Sequence, residues 1–300
     1  MEVIIYQVDA FTDTPFKGNP AGVVPDARGL SNEDMQTIAK EMNLSETAFV
    51  FPGNDDDKFE VRFFTPECEV DLCGHATIAT FYTLAHKGYI NGIGDGITKI
   101  FQKTKAGELA VDIYYLNGQV EKVMMYQGKS KIISLIEDYS MISKCFNIDE
   151  NDIGVEGFEI IPKIISTGLH DIILPLKDRK LLDNLTINYD MISSYSRELE
   201  VTGIHVFALE FNGDHLDIWC RNFAPAVGIN EESATGTANG ALTYYLKDND
   251  ILKDTKLLVN QGQSLGRPST IHCEIDCVNQ EQIVKVGGKA VIVLEGVMTI

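Results

Sequence analysis

The chain has 300 residues, 44% apolar and 23% charged, with 25 basic against 44 acidic side chains and a net charge of −19. That length suits about two globular domains, and the composition excludes a disordered chain, a collagen and a coiled coil. So acidic a protein is a poor partner for nucleic acid or an anionic membrane, and an anionic ligand would need a local source of positive potential.

The N-terminus, Met1-Glu2-Val3-Ile4-Ile5, carries an acid where a secretory leader needs a positive charge. No apolar run nears the roughly 18 residues of a membrane span. A soluble cytoplasmic protein without a membrane partner is expected. Ala21–Val24 reads as a strand, Asn32–Met42 as a helix and Ala48–Phe51 as the next strand. Glu46 falls between those last two elements, at an edge where partial burial raises a carboxyl pKa toward the range useful for proton transfer. On the residues alone, a solvated or ion-paired glutamate is the plainer reading. An alternating strand from Phe59 ends in Phe64-Thr65-Pro66.

Leu72-Cys73-Gly74-His75-Ala76-Thr77 then opens a helix that runs to Leu84. Ala76, Ala79 and Thr80 keep one side small, and Ile78, Phe81, Tyr82 and Leu84 are largely apolar, the marks of a buried helix. Gly92-Ile93-Gly94-Asp95-Gly96 lacks the preceding strand and the lysine of a nucleotide loop and reads as a turn. Leu109–Tyr114 alternates as a strand, and the glycine turns at Asn117-Gly118 and Gln127-Gly128 mark a boundary.

The second half repeats the first. Ile172-Ile173-Leu174-Pro175 echoes Ala21-Gly22-Val23-Val24-Pro25, and Leu216–Pro225 echoes Phe59–Pro66. Ser233-Ala234-Thr235-Gly236-Thr237-Ala238 repeats the glycine loop. Gly74/Gly236, Ala76/Ala238, Ala79/Ala241, Tyr82/Tyr244 and Leu84/Leu246 all match at one offset, 236 − 74 = 162. Three segments in the same order argue for duplication. Ile283–Val286 and Ala290–Leu294 complete the chain as strands, the last free to pair with either half.

A helix start exposes unpaired N–H groups and about half a positive charge, and glycine lets a ligand reach them. Two such starts facing each other across a cleft would hold a carboxylate inside an acidic protein. Glycines that serve tight turns alone are the alternative. Glu231 and Glu232 precede the second helix, where capping is the bland role for an acid. His75 is either a donor to substrate or a packed imidazole. Cys73 is either a thiolate activated by the helix start or a small buried hydrophobe. The six cysteines, Cys277 among them, form no disulfide framework and are expected as thiols. Cys68, Cys73 and His75 lack a second ligand pair at zinc spacing, so no metal is expected.

Val8-Asp9-Ala10-Phe11-Thr12, Gly18-Asn19-Pro20-Ala21-Gly22-Val23, Asn43-Leu44-Ser45-Glu46-Thr47-Ala48-Phe49, Glu69–Thr77 and Glu231–Gly240 together resemble the phenazine-biosynthesis PhzF-like family. The resemblance runs from residue 3 to near the C-terminus. It implies a diaminopimelate-epimerase-like fold with the site between two lobes, and cofactor-free isomerisation by proton transfer. It also implies Glu46 as general acid/base, with His75, Glu232 and Thr237 in the site. The family commonly has Asp where Glu232 stands and Ser where Thr237 stands. Its relatives by fold, diaminopimelate epimerase and proline racemase, use two thiols, one before each glycine loop. Here the second position is Thr235, 235 − 73 = 162, which cannot act as a thiol base.

The expected fold is therefore α+β: two pseudo-symmetric lobes, 1–125 and 126–300, each a curved, mostly antiparallel sheet around a central helix, with 289–300 free to return to the first. The expected activity is a cofactor-independent isomerisation of a small carboxylate-bearing metabolite in a biosynthetic process, with Glu46, His75 and Glu232 as catalytic groups. Asn19, Ser45, Cys73, Gly74, Gly236 and Thr237 would bind the substrate. A homodimer without cofactor or metal is expected. The alternatives are a non-catalytic small-acid-binding protein that keeps the fold, and an epimerase using Cys73.

Overall fold

The computed structural model describes residues 1–53, 55–213, 215–278 and 281–300, apart from the side chains of Cys277 and Val278. The described chain is mixed α+β and dominated by sheet, and it divides into two compact units. The first takes residues 1–126 and 287–300, the second 127–286.

The first unit begins with β1 (Glu2–Ala10), β2 (Asn19–Val24), α1 (Asn32–Met42), β3 (Thr47–Pro52), β4 (Lys58–Phe64) and β5 (Glu69–Val70). It continues through α2 (Gly74–His86), β6 (Gly96–Thr104), β7 (Gly107–Leu116) and β8 (Gln119–Tyr126). β1 and β2 are antiparallel, β2 and β3 parallel, β3 and β4 antiparallel, β4 and β6 parallel. β6, β7 and β8 then form a meander. Each parallel pair is joined through a helix, as a same-direction crossover requires.

α1 starts at a reciprocal cap: Ser31 Oγ accepts from Asp34 N at 3.1 Å, and Asp34 Oδ2 accepts from Ser31 N at 2.8 Å. Met35, Ile38 and Ala39 form its buried stripe, and Asn43 ends it in the left-handed conformation at φ 51°. α2 is buried almost all round and packs against β1, β2, β3, β7 and β8. Its threonines suit that burial because each hydroxyl folds back on its own helix. Thr77, Thr80 and Thr83 donate to the carbonyls of Cys73, Ala76 and Ala79 at 2.8, 2.6 and 2.7 Å.

The second unit runs through β9 (Lys131–Leu135), α3 (Ser140–Phe146), β10 (Lys163–Ser166), β11 (His170–Leu176), α4 (Arg179–Asp183), α5 (Tyr189–Glu198) and β12 (Gly203–Asn212). There follow β13 (His215–Ala224), β14 (Ile229–Glu232), α6 (Gly236–Asp248), β15 (Lys256–Gln261), β16 (Ser269–Val278) and β17 (Glu281–Gly288). Its pairings recur in the first unit's order. β10–β11 is antiparallel, β11–β12 parallel, β12–β13 antiparallel, β13–β15 parallel and β15–β16 antiparallel. α6 stands where α2 stands and packs on β10, β11, β12 and β16. A separate core gathers Ile142, Phe146, Ile192, Val206 and Phe223 beneath α3 and α5.

The last strand, β18 (Ala290–Thr299), pairs antiparallel with β1 from Ala10↔Ala290 to Glu2↔Thr299, with a bulge between Gln7 and Val8. It belongs to the first unit. Cys68, Cys73, Cys145, Cys220 and Cys273 are free thiols, and Cys277 lies outside the described side chains. No described helix is long and apolar enough to cross a membrane.

Candidate active site

Glu46 lies in the turn between α1 and β3. The left-handed cap at Asn43 turns the chain out of α1, and the backbone then enters β3 beside β2. There Gly22 N donates to the Glu46 carbonyl at 3.0 Å. Gly22 is glycine for a reason of space: a Cβ there would meet Thr47 Oγ1 at 2.6 Å and Cγ2 at 2.9 Å. The Glu46 backbone is thus held by a close approach of two strands. Its side chain is 14% exposed.

His75 and Cys73 come from the start of α2. Cys73 is the N-cap residue, with no side-chain cap on the helix, and His75 sits in the first turn. His75 Nε2 lies 3.2 Å from Glu46 Oε2, with the imidazole 4% exposed. On the other side of the ring, Nδ1 lies 3.3 Å from Cys73 Sγ. Burial pushes the Glu46 carboxyl pKa up, and a hydrogen bond from Cys73 partly opposes it.

The three residues offer a carboxylate oxygen, a thiol and an imidazole nitrogen within 4.8 Å of one another, the one such His/Cys/acid group among the described residues. The imidazole turns one nitrogen to the carboxyl and the other to the thiol. The thiol also donates to the Glu46 carboxyl directly, so the three groups close on one another. Gly74 is the first residue of α2, next to Cys73 and His75 in the chain, and Asn19, the first of β2, is buried. Ser45 is exposed next to Glu46.

The second unit builds a different polar cluster at the start of α6. Thr235 Oγ1 donates to Glu232 Oε2 at 2.6 Å, and Gln261 Nε2 donates to the Glu232 carbonyl at 2.8 Å. Gln261 Oε1 accepts from Asn239 Nδ2 at 2.8 Å and from Thr235 N at 3.3 Å. Glu231 forms a two-pronged pair with Arg221 at 2.8 Å. Neither acid caps α6: Thr235 is the N-cap, without a side-chain cap bond, and the first turn holds no acid. The capping role is therefore replaced by an ion pair for Glu231 and a hydroxyl partner for Glu232. Gly236 begins α6, and the Thr237 carbonyl accepts from Thr167 Oγ1 at 3.0 Å.

The family model for phenazine biosynthesis-like proteins (PhzC-PhzF) matches residues 8–296. The chain belongs to this family. It is 39% identical to an uncharacterized isomerase of Clostridium acetobutylicum, over 97% of this chain and 96% of the relative. It is 33% identical to the uncharacterized isomerase YddE of Escherichia coli K12, over 97% of both. Among solved structures it is similar to a phenazine biosynthesis protein of the PhzF family from Bacillus anthracis, at 28% identity, TM-score 0.86 and full coverage of both chains.

Within this PhzF-family chain, the positions that match by the repeat carry different chemistry. Cys73 and His75 correspond to Thr235 and Thr237 at the offset of 162, so thiol and imidazole occur only once. One feature of the second unit escaped the sequence reading. Asp171, 2% exposed, has its pKa pushed up to about 7, by burial first and by the charge of Glu232 second, against a hydrogen bond from the Gly203 backbone. Its one outward signal is an acid at the head of the apolar run Ile172-Ile173-Leu174. His205 is fully buried between Asn222 at 3.1 Å and Asn239 at 3.3 Å, and burial pushes its pKa down to about 4. It is a neutral packed imidazole.

Proposed function

We propose that the protein is an isomerase that moves a proton on a small carboxylate-bearing metabolite, with Glu46 as the general acid/base. The observation that carries this reading is the Glu46 carboxyl, 14% exposed, against an imidazole at 3.2 Å. As a carboxylate, Glu46 takes the proton from an acidified carbon of the substrate. As the neutral acid it returns the proton to another carbon. Burial raises the affinity of the carboxylate for the proton it takes, the direction a general base needs. His75 holds the carboxyl in orientation, so that little reorganisation accompanies the transfer.

The uncapped start of α2 at Gly74 supplies partial positive charge for the substrate carboxylate, which answers the demand set by a net charge of −19. Asn19, Ser45 and Cys73 belong to the substrate surroundings in this reading. Glu232, Gly236 and Thr237 enter it by their place in the duplicated pattern. The chemistry uses the chain's own groups. The names of the curated relatives as isomerases support the reaction class.

The test is solvent-deuterium incorporation into a panel of small carboxylic acids incubated with the protein, followed by mass spectrometry. Exchange into at least one acid is expected, with Glu46→Gln lowering its rate by about 10²–10⁴-fold. Exchange that persists at full rate in Glu46→Gln removes Glu46 from the role.

A further inference from the structure

Glu46, Cys73 and His75 bring together a carboxylate, a thiol and an imidazole, the side chains that hold zinc. One donor atom from each lies within 4.8 Å of the other two. His75 Nε2 faces Glu46 Oε2 at 3.2 Å, and Cys73 Sγ lies 3.3 Å from the same ring at Nδ1. Ligand atoms about 2.0–2.3 Å from a tetrahedral zinc ion stand roughly 3.3–3.7 Å from one another. The approach of Nε2 to Oε2 is close to that spacing and is not a hydrogen bond, for Glu46 Oε2 is buried without a hydrogen-bond partner. A buried carboxylate oxygen that receives no donor is a costly arrangement that a cation relieves. The groups are also held ready. Gly22 N fixes the Glu46 carbonyl at 3.0 Å, while Cys73 and His75 are the N-cap and first turn of α2. The helix start favours thiolate over thiol, and a net charge of −19 concentrates cations around the protein.

We infer that Glu46, Cys73 and His75 form an inhibitory zinc site; the inhibition, though not the binding, rests on the assignment of Glu46 as the acid/base group. As zinc binds, the Cys73 S–H bond breaks, its proton leaves to solvent and a sulfur–zinc bond forms. Glu46 gives a carboxylate lone pair and His75 a ring-nitrogen lone pair. Nothing is oxidised or reduced, and water takes the remaining position on the metal. A Glu46 carboxylate bound to zinc cannot take a proton from a substrate carbon, so metal binding and proton transfer exclude each other. Thiolate and imidazole select zinc over magnesium and calcium, which take oxygen ligands. The second unit cannot build the same site, since Thr235 and Thr237 stand at the matching places. Spacing along the chain conceals the ligand set: Glu46 precedes Cys73 by 73 − 46 = 27 residues, far outside the short intervals by which zinc sites are read.

Binding is tested without a substrate. The full chain, stripped of metal, is titrated with Co²⁺ in the absence of oxygen and then with Zn²⁺ to displace it. One Co²⁺ per chain is expected, with a thiolate-to-cobalt charge-transfer band in the near ultraviolet and visible bands of tetrahedral intensity. Cys73→Ser should lose the charge-transfer band and weaken Zn²⁺ binding by more than the roughly 10–100-fold that loss of a supporting partner costs. His75→Gln should weaken it likewise. Cys68→Ser removes an exposed thiol outside the site and should change nothing. Melting curves establish that the variants fold, and His75→Gln decides if Cys73→Ser does not. A wild type without the charge-transfer band, or a Zn²⁺ affinity unmoved in the folded variants, overturns the site. Deuterium exchange into a responsive acid should fall over the range of free Zn²⁺ that fills the site and return on addition of EDTA; exchange at full rate in the zinc-loaded protein overturns the inhibition. Failure of the Glu46 assignment appears separately, as exchange undiminished in Glu46→Gln with the Cys73 cobalt band still present.

Discussion

His75 Nε2 and Glu46 Oε2 stand 3.2 Å apart inside the first unit, with 4% and 14% of their side chains exposed. The contact joins the turn after α1 to the start of α2. Neither segment could hold its group alone: a glutamate in an open turn would be solvated, and a histidine at an uncapped helix start would be free to turn. Together they keep a carboxyl out of water, and that has a cost in stability.

Burial raises the Glu46 carboxyl above its unfolded value, so the folded protein holds this proton more tightly than the unfolded chain. The associated stability is complete below the unfolded value and is lost as pH rises through the folded one. Gln cannot ionise. Glu46→Gln should therefore melt at a higher temperature than wild type at neutral and alkaline pH, with the gap closing in acid, while exchange activity falls. A variant that melts lower at every pH contradicts this account of the site.

Gly22 should matter to the same carboxyl without touching it. Gly22→Ala places a methyl against Thr47 Oγ1 at 2.6 Å, where β2 holds the Glu46 carbonyl. Overpacking of this kind costs about 1–3 kcal/mol. Displacement of Glu46 by a fraction of an ångström should lower exchange more than it lowers substrate affinity. Denaturant midpoints and exchange rates measured on one preparation check both parts; an unchanged midpoint would show that Thr47 gives way freely.

Asp171 offers a pH dependence with its own window. Its pKa is pushed up to about 7 in the fold, against about 4 for an unfolded Asp. The stability tied to its proton is present below about 4 and drains away as pH rises to about 7. Asp171→Asn, which copies the neutral form, should match wild type in acid and exceed it above neutrality. Glu232→Gln should move the same transition to lower pH, because the Glu232 charge adds to the rise. Urea midpoints taken as a pH series follow both; parallel curves for wild type and Asp171→Asn would rule the assignment out.

The Arg221–Glu231 pair, with side chains 11% and 7% exposed, is a buried ion pair with two hydrogen bonds. Arg221→Ala strands the Glu231 charge and should destabilise the protein by about 3–5 kcal/mol. The double variant Arg221→Met with Glu231→Gln should recover most of that loss, since no net charge is then left buried. Chemical denaturation of the single and double variants separates the two outcomes.

Much of this was legible in the sequence because glycines and helix caps write themselves locally. The offset of 162 between Gly74 and Gly236 anticipated two helices in one repeating order of strand pairings. Asn32–Met42 was read as a helix, and the structure adds the Ser31/Asp34 cap that starts it and the buried stripe that seats it. What stayed hidden depends on partners distant in the chain. That Glu46 is buried against His75 instead of solvated follows from the packing of α2 on β2 and β3. That Asp171 is buried follows from its neighbours on both flanking strands, Ile165 and Gly203. The reading of Glu231 and Glu232 as helix caps failed because cross-strand and hydroxyl partners outbid the helix for both acids.

The place of β18 has a consequence for the making of the molecule. β1 leaves the ribosome well before its antiparallel neighbour Ala290–Thr299, which is made only after residues 127–286 of the other unit. Throughout that interval one edge of β1 is unpaired, with Val3, Ile5 and Val8 bound for the core beside it. The second unit is contiguous and can close as soon as it is synthesised. Order of synthesis and order of completion are therefore opposite: of the two units, the one that carries Glu46 starts first and finishes last, and a nascent chain released short of residue 290 would contain Glu46, Cys73 and His75 on a sheet with an open edge.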